Sequence, residues 1–192
     1  LSKDDLASYQ ARLVDPIHSI CMEYDVYSPP LCSAGVSLVQ MCALADEAGL
    51  DIFERDAPKL AHGMIEMIRA SWMDRYRHFG DPQKIKVPMD TLMSDIHLGA
   101  TSREINKHIE EGTRGQALLR PMYTGGTTHI SVVDAQRNMA SLTLTHGPSF
   151  GSFVTIPRMG LLMNGGMSRF DPGSGLKNSV DGGKAPITNM CP

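Results

Sequence analysis

Residues 125–128, Gly-Gly-Thr-Thr, stand directly ahead of the alternating segment "THISVVD". A threonine hydroxyl is a poor nucleophile until a base takes its proton. One economical base is the residue's own α-amine, whose ordinary pKa is about 8, and that amine exists only once the preceding peptide bond is broken. The pair of a threonine hydroxyl and an N-terminal amine is one variant of nucleophile–base catalysis. Gly126–Thr127 is therefore a candidate self-cleavage site and Thr127 a candidate nucleophile. The start of a strand would fix the direction of Thr127, and Gly126 would leave the backbone free for an N-to-O acyl shift. The plain alternative is a loop that enters a strand, and four residues alone do not separate the two.

The elements that must hold this junction are readable from periodicity. Residues 18–28 alternate loosely and predict a strand or hairpin, broken at Pro29 and Pro30. In "VSLVQMCALADEAG", Leu38, Met41, Cys42 and Ala45 recur at helical spacing, with Gly49 as a stop. The clearest helix runs from Asp56 to about His78, with Asp56 as cap and Pro58 in the first turn. Leu60, Met64, Met67, Ile68, Trp72 and Tyr76 form its apolar stripe, which reads as core. "PMDTLMSDIHLG" and "TSREINKHIEEG" predict two shorter helices, the second capped by Ser102. Residues 113–126 read as a loop accessible to cutting. "THISVVD" and "MASLTLT" then predict a β-hairpin, followed by short apolar pieces punctuated by glycine. A mostly helical segment 1–126 thus leads into a β-rich segment 127–192, an α+β arrangement.

Composition narrows the function. The chain has 192 residues, 42% of them hydrophobic, and a formal net charge of −3. That length suits one domain or slightly more. The mild, unsegregated charge gives no footprint for nucleic acid. No apolar run reaches the ~18–20 residues of a membrane span, and the first residues lack the shape of a signal peptide. The four cysteines form no C-x-x-C pair and are expected as free thiols. Seven histidines show no ligand spacing, so no metal and no organic cofactor is expected.

The residues around the junction carry a resemblance. "TTHISVVDAQRNMASLTLT" resembles the start of the small subunit of the γ-glutamyltranspeptidases, and "FGSFVTIPRMGLLMNGGMSRFDP" and "PITNMCP" resemble stretches that follow it. "YDVYSPPLCSAGVSLVQM", "SWMDRYRHFGDP" and "KVPMDTLMS" resemble segments of that family's large subunit. The resemblance covers nearly the whole chain in order. It implies a four-layer αββα N-terminal nucleophile hydrolase sandwich, incomplete in this chain, with cleavage between Gly126 and Thr127. It implies further that the remaining parts of the same polypeptide complete the fold, since the family's arginine for the donor carboxylate and its Gly-Gly oxyanion donors have no counterpart here. Periplasmic or extracellular placement is what the resemblance suggests.

By the same resemblance Thr127 is the nucleophile and Thr145 the threonine that hydrogen-bonds it. Thr188 and Asn189 occupy the Ser-Ser positions that hold the donor's α-carboxylate. Gly147 stands where the family has a donor-binding asparagine. "NGGMSRF", containing Gly166 and Arg169, replaces the stretch that contacts the substrate amine, with Ser168 and Arg169 in place of its acidic pair. A cation there repels an ammonium and attracts anions; the plain reading of Arg169 is a solvated surface residue. The activity implied is attack on a γ-glutamyl amide such as glutathione, with the acyl group passed to water or an amino acceptor. The alternatives are a related acylase, cephalosporin-acylase-like or polyglutamate-processing, and an inactive domain. His129 reads as a packed strand residue, His146 as a neighbour of the pocket, and Asp74 and Asp81 as locally bonded helix-end and turn residues.

Overall fold

The computed structural model describes residues 2–50, 57–116 and 125–191. A short helix α1 (Lys3–Ser8) precedes a hairpin of β1 (Ile17–Cys21) and β2 (Tyr24–Ser28). The hairpin turns through Met22 and Glu23, both at positive φ, which is the backbone a two-residue loop needs to match strand twist. After Pro29 and Pro30 the chain enters α2 (Gly35–Glu47). Gly35 opens that helix because a Cβ there would collide with the Pro29 carbonyl oxygen.

Helix α3 (Ala57–His78) is the longest, with Pro58 in its first turn as expected; the proposed cap Asp56 lies outside the described residues. Two expectations need correction in the next segment. A single turn α4 (Met89–Leu92) is followed by one helix α5 (Asp95–Glu111) that runs straight through Gly99. Ser94, not Ser102, caps α5 by accepting from the His97 amide. Ser102 is buried inside the helix and donates back to the Gly99 carbonyl at 3.2 Å. Gly112 closes the helix in the left-handed region.

Two apolar clusters hold the helices. Leu44 and Ala45 of α2, Met67 of α3 and Leu98 and Ile105 of α5 form the first. The second joins Val36 of α2, Phe79 after α3, Leu92 of α4 and Ile187 of the C-terminal segment. Ile187 therefore ties the residues after the β-hairpins into the helical layer. The α3 stripe expected from periodicity is only partly the core face: Met64 and Ile68 are exposed, while Glu66, Ser71, Asp74 and Arg75 are buried. Three of these polar contacts join α3 to α2 and α5. Gln40 Nε2 donates to Asp74 Oδ2 at 2.7 Å, His97 Nε2 meets the same oxygen at 2.7 Å, and Ser71 Oγ donates to Gln40 Oε1 at 2.9 Å.

The β-rich part starts with β3 (Gly125–Val133) and β4 (Met139–Pro148), paired antiparallel. Asp134 builds their connection, its carboxylate accepting from the amides of Gln136 and Asn138 and from Asn138 Nδ2. Side chains alternate across the two strands. Thr127, His129, Ser131, Ser141, Thr143 and Thr145 share one face; Ile130, Val132, Leu142 and Leu144 share the other, where they are about half exposed. A two-residue ladder of β5 (Thr155–Ile156) and β6 (Leu161–Leu162) and a 3₁₀ turn at Gly166–Arg169 follow. Of the expected four layers, the described residues supply a helical layer and three two-stranded ribbons.

Candidate active site

The polar face of the β3–β4 hairpin forms one wall of a cavity of about 600 Å³. Thr127 stands opposite Thr145 in the strand register, and the ladder slips between Gly125 and Thr127, so that Gly126 sits at the irregularity. Three bonds meet at the Thr145 hydroxyl. It accepts from the Thr127 hydroxyl at 3.1 Å and from the Gly147 amide at 2.9 Å, and it donates to the Gly126 carbonyl oxygen at 3.2 Å. A hydroxyl has one proton and two lone pairs, so this constellation uses all of them. The acceptor of its proton is the carbonyl of the bond singled out in the sequence.

Gly126 has open space around it. A Cβ there would find nothing nearer than the Cα of Ser149 at 4.0 Å. Close packing is therefore not what calls for glycine at this position. Gly147 is different: its φ is +80°, in the left-handed region that glycine and asparagine tolerate best.

The opposite wall comes from the 3₁₀ turn and the C-terminal segment. The Gly165 amide donates to the His146 carbonyl at 2.7 Å, docking the turn against β4. Asn164 Oδ1 caps the turn by accepting from the Gly166 amide, and Asn178 Nδ2 holds the Arg169 carbonyl. The segment through Thr188 and Asn189 is fixed by backbone bonds to the loop before α2, from the Thr188 amide to the Cys32 carbonyl and from the Ala34 amide to the Met190 carbonyl. Thr127, Thr145, Gly147, Gly166, Arg169, Thr188 and Asn189, proposed from the sequence, all line this one cavity, and Gly126 adjoins it through Thr145.

Sequence reasoning missed Lys184, Asn164 and Cys191, which also line the cavity. No periodicity flags them, since Lys184 and Cys191 lie in an irregular glycine- and proline-rich stretch. Among the described lining residues Arg169 and Lys184 are cations, and there is no aspartate or glutamate. Arg169 is half-buried in this wall rather than an isolated surface group. His129 is exposed on the polar face, where its two ring nitrogens meet Thr143 Oγ1 at 2.8 Å and Ser131 Oγ at 2.9 Å; His146 also lines the cavity. Asp74 and Asp81 make long-range rather than purely local bonds, Asp81 Oδ2 accepting from the Ala185 amide at 2.8 Å.

Behind the wall lies Arg75 of α3, 1% exposed. Burial pulls its pKa down to about 10, and nearby Arg169 pulls in the same direction. The four cysteines are free and partly buried, and burial pushes Cys42 up to about 12. Among the described residues no group of three His, Cys, Asp or Glu side chains could hold a metal ion, and no helix is long and apolar enough to cross a membrane.

A family model described as Gamma-glutamyltranspeptidase matches residues 1–192. The chain is 30% identical to the Acylase ACY 1 proenzyme of Pseudomonas sp. (strain SE83), over 100% of this chain and 34% of that protein. It is also 30% identical to the Glutathione hydrolase proenzyme of Escherichia coli (strain K12), over 100% of this chain and 35% of that one. It thus spans about a third of the length of these relatives. Among solved structures it superposes on the cephalosporin acylase from Bacillus halodurans with a TM-score of 0.77 at 22% identity, covering 100% of this chain and 34% of that one. That likeness shows the fold alone, a partial N-terminal nucleophile hydrolase fold.

Proposed function

The chain belongs to the γ-glutamyltranspeptidase family, and from that premise we propose that it carries the self-cleavage site and acyl-donor pocket of an N-terminal-threonine amidohydrolase or acyltransferase. The observation that supports this reading best is the Thr145 hydroxyl, which touches both the Thr127 hydroxyl and the Gly126 carbonyl oxygen.

In self-cleavage, Thr127 Oγ1 attacks the Gly126 carbonyl carbon. The carbonyl oxygen gains negative charge, and the bond donated by Thr145 strengthens as it does. The C–N bond then breaks, the hydroxyl proton ends on the departing Thr127 nitrogen, and Gly126 is left as an ester on Oγ1. Water hydrolyses that ester, releasing a carboxylate at Gly126 and restoring the Thr127 hydroxyl beside the amine freed in the first step. The amine then serves as base when the same hydroxyl attacks the amide of an acyl donor, yielding an acyl-enzyme and a free amine. Water or an amino acceptor takes the acyl group.

The donor is read from charge. Thr188 and Asn189 can donate hydrogen bonds to a carboxylate, and Arg169 and Lys184 make the cavity cationic. A donor α-ammonium has no acidic partner among the described lining residues and faces Arg169. The pocket therefore suits an acyl group that bears a carboxylate and lacks the free α-amine, as in glutaryl amides. The Thr188–Asn189 pair alone favours a second reading, an ordinary γ-glutamyl amide such as glutathione, whose α-carboxylate it would hold.

Intact mass after prolonged incubation tests the first step. Two pieces joined at Gly126/Thr127, absent from Thr127→Ala, are expected; one uncut chain under all conditions overturns self-cleavage. Turnover of a glutaryl anilide above a γ-glutamyl anilide is expected in the second step, and the reverse order favours the glutathione-type donor.

A further inference from the structure

Arg75 sits where a charge is expensive and holds no carboxylate in ion-pairing range among the described residues. Its neighbour Asp74 is committed to Gln40 and His97. Arg75 Nη2 instead donates to the Thr188 carbonyl and lies 3.5 Å from Asn189 Oδ1, while Nη1 reaches Ser37 Oγ at 3.5 Å and the guanidinium lies 5.4 Å from the centre of the Trp72 ring. Buried Nε has no hydrogen-bond partner among the described residues. A guanidinium has five donors and no acceptor.

That chemistry fixes the side chain of Asn189. Its amide has an acceptor end and a donor end, and only the acceptor end can face Arg75; the flipped form would oppose two donors. With Oδ1 held toward Arg75, the Nδ2 hydrogens turn the other way. Asn189 itself lines the cavity.

We propose that Arg75 is a positioning residue for the acyl donor, turning the Asn189 amide so that its N–H groups, beside the Thr188 hydroxyl, face a carboxylate of the bound substrate. The inference rests on the reading of the cavity as a site for an anionic acyl group. Without Arg75 the Asn189 amide is free to present its oxygen, which repels the same carboxylate. A serine at position 189 has no such ambiguity, because its hydroxyl rotates to donate.

A double-mutant cycle on the purified protein tests this, with glutarate as the probe and calorimetry as the readout for Arg75→Lys, Asn189→Ser and the double variant. Lysine keeps the charge but loses the fork. Arg75→Lys is expected to weaken glutarate binding about tenfold when Asn189 is kept and less than about threefold when it is combined with Asn189→Ser. Equal weakening in both, or none, overturns the proposal. Melting temperatures of the four proteins read the contact without the ligand: non-additive shifts support it and additive shifts overturn it. Non-additive shifts with no glutarate binding to the unmutated protein keep the contact but overturn the anionic-donor reading and, with it, the role given to the Asn189 N–H groups. Should Arg75→Lys fail to fold, Asn189→Asp carries the test. Its carboxylate pairs with Arg75 and has no donor end, so a higher melting temperature with glutarate binding lost is expected; an unchanged melting temperature overturns the contact.

Discussion

Thr127 and Thr145 face each other across the β3–β4 ladder with their hydroxyl oxygens 3.1 Å apart, and the second of them donates its proton to the peptide carbonyl ahead of the first. The side chain that receives the nucleophile's hydroxyl hydrogen thus also polarises the bond under attack.

Thr145→Ala is accordingly expected to slow appearance of the cleaved chains by about a hundredfold, the scale for loss of one donor to a developing oxyanion. Thr145→Ser keeps the hydroxyl and should restore most of the rate. Time courses of intact mass check both, and an alanine variant that cleaves at the original rate sinks the role.

Arg169→Asp places an acid where Arg169 now lines the cavity. The ratio of kcat/KM for γ-glutamyl anilide over glutaryl anilide should rise by up to about fivefold, the upper scale of one partly exposed charge pair. An unmoved ratio would return Arg169 to the solvated surface.

The Asp134 carboxyl is held below the usual carboxylate range by its hydrogen bonds, first from the Asn138 side chain and then from the Asn138 backbone amide. A carboxyl whose folded pKa is lowered adds stability that is present above its unfolded pKa of about 4 and lost as pH falls through the folded value. The hairpin should therefore loosen below about pH 4, and Asp134→Asn should flatten that response. Amide exchange of residues 127–145 between pH 3 and 6 measures it.

Gly126 and Gly151 should respond differently to alanine. A Cβ at Gly126 has open space, whereas at Gly151, where φ is +56°, it would collide with the Met163 carbonyl oxygen. Gly126→Ala is expected to melt within about a degree of the original and Gly151→Ala to lose stability by more than about 1 kcal/mol. Thermal unfolding of the two variants decides it.

Several elements could be read before any coordinates, because period and punctuation are local. The first hairpin, α2, α3 and the β3–β4 hairpin follow from alternation, helical spacing and turn residues. Gly99 misled because a glycine inside a helical pattern resembles a stop, and only the packing of α2 against α5 shows otherwise: a Cβ at Gly99 would lie 3.3 Å from Glu47 Oε1. The α3 stripe misled because its buried face is polar, and Glu66, Ser71, Asp74 and Arg75 find partners far away in sequence. No local pattern encodes that. The residues carried by the resemblance lie around one cavity, yet Lys184 and the support from Arg75 needed the tertiary arrangement to be noticed.

The two-faced β3–β4 hairpin also matters during synthesis. Its arms, residues 125–133 and 139–148, contain no lysine, arginine, aspartate or glutamate, and Ile130, Val132, Leu142 and Leu144 are about half exposed. Strands without charged gatekeepers, with an apolar face uncovered, are templates for pairing between nascent chains. The helical segment leaves the ribosome first, and its cluster of Leu44, Ala45, Met67, Leu98 and Ile105 needs nothing from this hairpin. Yield of soluble protein should then depend on growth temperature and chaperone supply more than on the stability of the helical core.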